Sequence, residues 1–201
     1  MIEKEGKSGK SLITFLYSKV LFTNLSNPMT FISVLLLTLI VGCAILAPLL
    51  APTDPYDLSV VSIMDGRLAP GEEMSNGNIA WLGTDGAGRD VLSAIIYGLR
   101  TSLIVAISSA LIALSIGIFI GLIAAFYGGK IDSFLMRIVD IQLSFPAILV
   151  ALVLLALLGK GVDKVIIALA VVQWAVYART VRAAATVERR KEYIEAASCL
   201  G

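Results

Sequence analysis

From Met29 to Ala51 the chain carries no charged residue for 23 positions, and from Thr101 to Gly129 it does so again for 29. At 1.5 Å per residue the shorter run makes about 35 Å of helix, enough to cross a hydrocarbon core of roughly 30 Å. In lipid every backbone N–H and C=O must be satisfied within the chain, so such runs fold as helices. The composition agrees: 58% of residues are hydrophobic and the mean hydropathy is +0.90, against roughly 45–50% apolar residues in soluble domains. The expected fold class is an all-α integral membrane protein with about four transmembrane helices.

The remaining boundaries follow from charge and from breakers. Residues 1–27 set Lys4, Lys7, Lys10 and Lys19 against Leu12, Phe15, Leu16, Val20 and Leu21, the pattern of an amphipathic interfacial helix retained as an anchor rather than a cleaved signal. Residues 28–51 are the first span, opened by Pro28 and broken by Pro48 and Pro52. Residues 52–100 hold seven acids against Arg67, Arg89 and Arg100, and a loop so poor in Lys and Arg belongs outside. Near its end Thr84 or Asp85 is expected to cap an interfacial helix whose stripe is Val91, Leu92, Ile95, Ile96 and Leu99. Residues 101–201 form the core, with helices expected at about 101–129, 138–159 and 164–185.

Within that core, Gly117 and Gly121 form a G-x-x-x-G that calls for a close neighbour or faces a path. Phe145-Pro146 is expected to kink the third span. The fourth, Val165–Ala178, has only 14 uncharged residues. It crosses if Lys164 and Arg179 snorkel, or if the helix continues through Ala183, Ala184 and Ala185. Four crossings put both Lys/Arg-rich termini in the cytoplasm and the acidic loop outside.

The chemistry available is narrow. With no histidine the usual general base and commonest metal ligand are missing, and no nucleophile, base and orienting group converge, so neither an enzyme nor a metal site is expected. Cys43 and Cys199 read as packing residues rather than a disulfide. Gly83 to Asp90 spells G-x-x-x-x-G-R-D, which lacks the lysine and hydroxyl of a phosphate loop and reads as a glycine-rich turn. No feature suggests nucleic acid.

Three blocks carry a resemblance to a known family. The stretch Leu82 to Leu103, containing Gly83, Thr84, Asp85, Gly88, Arg89 and Asp90, is similar to a block ahead of the second helix in permease subunits of the dipeptide, oligopeptide and nickel type of ABC importers. Gly128, Gly129, Asp132, Arg137, Asp140 and Pro146 resemble the middle of the same permeases. Residues 186–201 contain Glu195-Ala196-Ala197, three residues, then Gly201, which resembles the first half of their EAA loop. The family continues past this glycine with further spans, so the chain reads as truncated there.

The resemblance implies a permease fold with a cytoplasmic coupling helix, in which Glu195, Ala196, Ala197 and Gly201 seat against an ATP-hydrolysing subunit. It implies a second permease subunit, two cytoplasmic ATP-binding subunits and an extracytoplasmic solute-binding protein as partners in the inner membrane. ATP and Mg would be bound by the partner ATPase and no cofactor by this chain. Two other readings stay open: a non-transporting remnant, and an ion-coupled carrier using Asp140, an acid close to an apolar span. Against the carrier, Arg137 stands three residues before Asp140, where an i, i+3 ion pair is expected, and no internal repeat is evident. Asp140→Asn separates them in a transport assay: a carrier loses its ion coupling, whereas an ABC permease keeps ATP-dependent uptake.

Overall fold

The computed structural model describes residues 27–57 and 59–194. The expected amphipathic segment at 1–26 and the coupling residues Glu195, Ala196, Ala197 and Gly201 lie outside the described residues. Helices dominate, and the chain divides into two units, residues 1–100 and 101–201.

In the first unit α1 spans Pro28–Ile45 and a short α2 spans Ala47–Leu50. The break between them is one residue, Leu46, and Pro48 falls in the first turn of α2, where its missing N–H costs nothing. The acidic loop that follows is ordered by its own polar groups. A single 3-10 turn at Ile63–Asp65 precedes a two-stranded antiparallel hairpin, β1 (Glu72–Glu73) and β2 (Ile79–Ala80), with Glu72 opposite Ala80 and Glu73 opposite Ile79.

α3 then runs unbroken from Val91 to Tyr127. The expected division into an interfacial helix and a separate span at 101 is thus corrected: Gly98 and Arg100 do not interrupt it, since the apolar side chains continue in helical register across them. At 37 residues it is about 55 Å long, well beyond the thickness of a hydrocarbon core.

The second unit contains the rest of α3, then α4 (Gly129–Ser144), α5 (Ala147–Leu158) and α6 (Val162–Glu188). Two further expectations are corrected. The third span is not one kinked helix over 138–159, because α4 and α5 are separate and bent by 86°. Proline drives the preceding residue out of the helical region, and Phe145 is extended at φ −90°, ψ 139°. Helix also begins earlier than expected, at Gly129. The short fourth span is resolved in favour of continuation, with α6 reaching Glu188 in 27 residues, about 40 Å.

Among the described residues three helices are long and apolar enough to cross a membrane, and four if the bent pair counts as one. Large apolar side chains such as Ile107, Leu111, Leu152 and Leu157 are exposed along them, as lipid-facing surfaces require. What is buried is small. Ser109, Ala113, Gly117, Gly121 and Ala124 mark the buried stripe of α3, and Ala168, Ala170, Ala175 and Ala178 that of α6. Val139 of α4 closes a small core against Ala175 and Ala178, with Ile120, Met136, Leu143 and Trp174 around it.

The G-x-x-x-G is a contact face. A Cβ on Gly117 would stand 2.5 Å from Tyr177 Cβ, and one on Gly121 only 2.6 Å from the Ala178 carbonyl oxygen. Gly121→Val is therefore expected to lower the thermal stability of the detergent-solubilised protein by at least about 2 kcal/mol. Gly98→Ala, where a Cβ would meet nothing within 4 Å, is expected to be neutral or stabilising by up to about 1 kcal/mol. Melting curves of the two variants beside the parent check both.

Candidate functional site

The first family-like block folds as a turn that closes on itself. Gly83 and Gly88 are left-handed at φ 78° and 80°, and each lies against backbone. A Cβ on Gly88 would stand 1.9 Å from the Ser62 carbonyl oxygen and one on Gly83 2.6 Å from that of Leu68. Only glycine fits either place. Neither Thr84 nor Asp85 caps the helix. The Thr84 hydroxyl donates to the Asp65 carbonyl and accepts from Leu68 N–H at 2.8 Å. Asp85 accepts from Ala87 N–H at 2.8 Å and Arg89 N–H at 3.0 Å, and its other oxygen takes Arg89 Nε at 2.8 Å. The Arg89 amide, then that of Ala87 and the Arg89 guanidinium hold the Asp85 carboxyl below its ordinary pKa. Those N–H groups already face a carboxylate, so the turn is no phosphate cradle.

The cap of α3 is Asp90, one residue before Val91. Its Oδ2 accepts from Ser93 N–H at 2.8 Å and Ser93 Oγ at 2.6 Å, the N-cap to N3 bond. Asp90 is 1% exposed, and Ser93 Oγ in turn accepts from Thr53 N–H at 3.1 Å. This constellation is architectural: it anchors the loop to the helix that follows.

In the second unit the polar side chains gather on α6. Arg182 Nε donates to Asp132 Oδ1 at 2.9 Å and its Nη2 to Asp132 Oδ2, a bidentate pair between α6 and α4. Asp140 pairs with Arg179 across the same two helices. The expected i, i+3 bond to Arg137 is corrected: a long-range arginine wins because α6 packs alongside α4, while Arg137 remains a residue of α4. Gln142 Nε2 reaches the Val171 carbonyl at 3.3 Å.

The joint between α3 and α4 is the glycine pair, with Gly128 at φ 63° and Gly129 at φ 53°. Over it lies Arg189, the first residue past α6, whose Nη1 donates to the carbonyls of Ala125 at 2.9 Å and Phe126 at 2.8 Å. After it the chain turns, and Glu188 accepts from Lys191 Nζ at 2.9 Å and from the Tyr193 hydroxyl. The Glu188 carboxylate raises the pKa of both partners. A largely apolar open groove lies between α3 and α6, lined by Phe119, Leu122, Phe126, Val181 and Ala184 and ending at Arg189. Pro146 sits at the start of α5.

The structure places Gly83 and Gly88 in the closed turn, Asp132 and Asp140 against arginines of α6 and Pro146 at the start of α5, while the sequence reading assigned no partner to Arg182 or Arg189. The spacing of Arg182 and Arg189, seven residues or about two turns, was the available signal that Arg182 and the residue capping α6 lie on the same side. Breaking the Asp132–Arg182 pair by Asp132→Ala is expected to cost about 1–2 kcal/mol, between surface and buried values, because the side chains are 18% and 37% exposed. The exchange Asp132→Arg with Arg182→Asp should recover part of the loss in a double-mutant cycle of unfolding, and independent effects would remove the pair as a source of stability.

Residues 117–201 match the family model for the binding-protein-dependent transport system inner membrane component, and residues 25–70 that for the N-terminal TM domain of oligopeptide transport permease C. Over 168 residues the chain is 39% identical to the di/tripeptide transport system permease protein of Pseudomonas aeruginosa, covering 83% of this chain and 54% of that one. It is 34% identical to the dipeptide transport system permease protein of Haemophilus influenzae over 85% of this chain and 57% of that one. With the oligopeptide transport system permease protein of Bacillus subtilis identity is 32% over 88% and 55%. The chain thus spans about half the length of the curated relatives it matches. Two model matches in the expected order, on a bundle of apolar helices, make this chain a member of the binding-protein-dependent transport system inner membrane components, the multi-pass permeases of ABC importers.

Proposed function

We propose that this chain is a translocation subunit of an ATP-driven importer of di- or oligopeptides or a related small solute. The observation that carries the reading is that residues 117–201, from the glycine contact face of α3 to the terminal Glu195-Ala196-Ala197…Gly201, fall in one continuous family match. In this reading an extracytoplasmic binding protein delivers solute to a path between this chain and a second permease subunit. Two cytoplasmic ATPases, holding ATP and Mg, close on nucleotide, and Glu195, Ala196, Ala197 and Gly201 receive the motion. The peptide assignment rests on relatives named for di/tripeptide, dipeptide and oligopeptide transport.

Sidedness follows from charge. Seven acids lie between Pro52 and Arg100, while Arg179, Arg182, Arg189, Arg190 and Lys191 cluster at the end of α6 and beyond it, so the positive-inside rule puts the end of α6 and both termini in the cytoplasm. No residue of this chain is assigned a catalytic step. Chemical work is done by the partner, and the permease contributes surfaces that change position.

The test is capture from native membranes through an N-terminal tag, with and without Ala197→Trp. The parent is expected to bring an ATP-hydrolysing subunit and a second permease with it. The bulky indole, filling a contact that only a small side chain permits, is expected to reduce recovered ATPase about tenfold or more. Equal recovery from both would remove Ala197 from the contact, and a parent that captures no ATPase would overturn the importer reading.

A further inference from the structure

The end of α3 leaves backbone carbonyls that another part of the chain takes up. The last carbonyls of any helix lack an intrahelical partner, and here the left-handed Gly128 and Gly129 end α3 abruptly. Gly128 N–H satisfies the Ala124 carbonyl at 3.1 Å. The next two, Ala125 and Phe126, are taken by a single nitrogen, Arg189 Nη1. A cation at a helix C-terminus also meets the negative end of its dipole. The same guanidinium lies over the joint, since a Cβ on Gly128 would stand 3.8 Å from Arg189 Nη1.

On the other side of that joint, Asp132 lies in the first turn of α4 and is held by Arg182. Arg189, the residue that caps α6, follows Arg182 by seven positions, about two helical turns. One face of α6 therefore grips the chain before and after Gly128–Gly129. A pair of left-handed glycines is otherwise the most pliable joint a backbone offers, and two helices meeting there would swing freely.

We propose that Arg189 is a positioning residue that locks the end of α3 to the end of α6, so that a push on the segment beginning six residues later moves α3, α4 and α6 as one body. The proposal rests on the importer reading, in which that segment is driven by an ATPase. Arg189 touches no solute and no nucleotide in this role. Its work is to cancel the freedom of the glycine joint at the point where motion enters the bundle.

The test uses the full chain in its captured complex, reconstituted in lipid, with spin labels at Tyr127→Cys and Arg190→Cys and with Cys43→Ser and Cys199→Ser. Label separation is measured by pulsed electron resonance without nucleotide and with ATP, Mg and vanadate. In the otherwise unaltered chain a single narrow distance is expected, unchanged by nucleotide. Arg189→Lys, whose ammonium has donors for both carbonyls, should keep it. Arg189→Ala should retain the ATPase subunit but lose the shared distance on adding nucleotide, through a shift or a broadening absent before. An unchanged distance in Arg189→Ala overturns the proposal, as does a distance already broad without nucleotide, which marks a merely structural clamp. A nucleotide-dependent distance in the parent overturns it too. Absence of an ATPase from the parent complex is a different failure: it removes the importer reading, and this proposal with it.

Discussion

The second unit depends on the close approach of two helix backbones. Where α3 presents Gly117 and Gly121, the backbone of α6 at Ala178 comes so close that a Cβ on either glycine would stand within 3 Å of it. In lipid, where apolar surface is no better buried against protein than against acyl chains, such contact supplies the packing that area burial supplies in water. Closeness then sets the rest. It lets Arg189 reach the carbonyls of α3, and the small core of Val139, Ala175 and Ala178 sets α4 beside α6, within reach of Arg179 and Arg182.

In the first unit the organising constraint is different, because the loop between α2 and α3 is rich in acids and glycines and buries few large apolar side chains. Its order comes from carboxylates that accept backbone N–H groups and from glycines that bring backbone against backbone. Asp65 accepts from Ser75 N–H at 2.9 Å, Asp85 closes the turn before α3, and Asp90 starts that helix. The acids that made the loop look merely extracytoplasmic are in large part its internal scaffold.

Much of this was legible in the sequence because its signals were local. Uncharged runs announced α1, the later part of α3 and α6, and glycines at positions 83, 88, 117 and 121 announced tight places. The turn-like reading of Gly83 to Asp90 held for the same reason. What escaped was decided by competition. Arg100 looked like a boundary, but a single charge does not end a helix whose apolar register continues. Proline at 146 was read as a kink, yet freeing Phe145 from helical geometry let two helices part by 86°. Asp140 had a near arginine in sequence and a nearer one in space, and only the packing of α6 on α4 could decide between them. Arg189 bonds to carbonyls, which every residue has, so its partners left no mark on the sequence.

The pairing of α4 with α6 also orders events in time. The acids Asp132 and Asp140 are synthesised some forty to fifty residues before the arginines that neutralise them, and chains enter the membrane from the N-terminus as they are made. Until α6 emerges, α4 carries two carboxylates with no cross-helix partner, while α5, at 12 residues or about 18 Å, is too short to hold a bilayer alone. The two ion pairs between α4 and α6 can form only once α6 has been made, so α6 is the element that completes this part of the second unit.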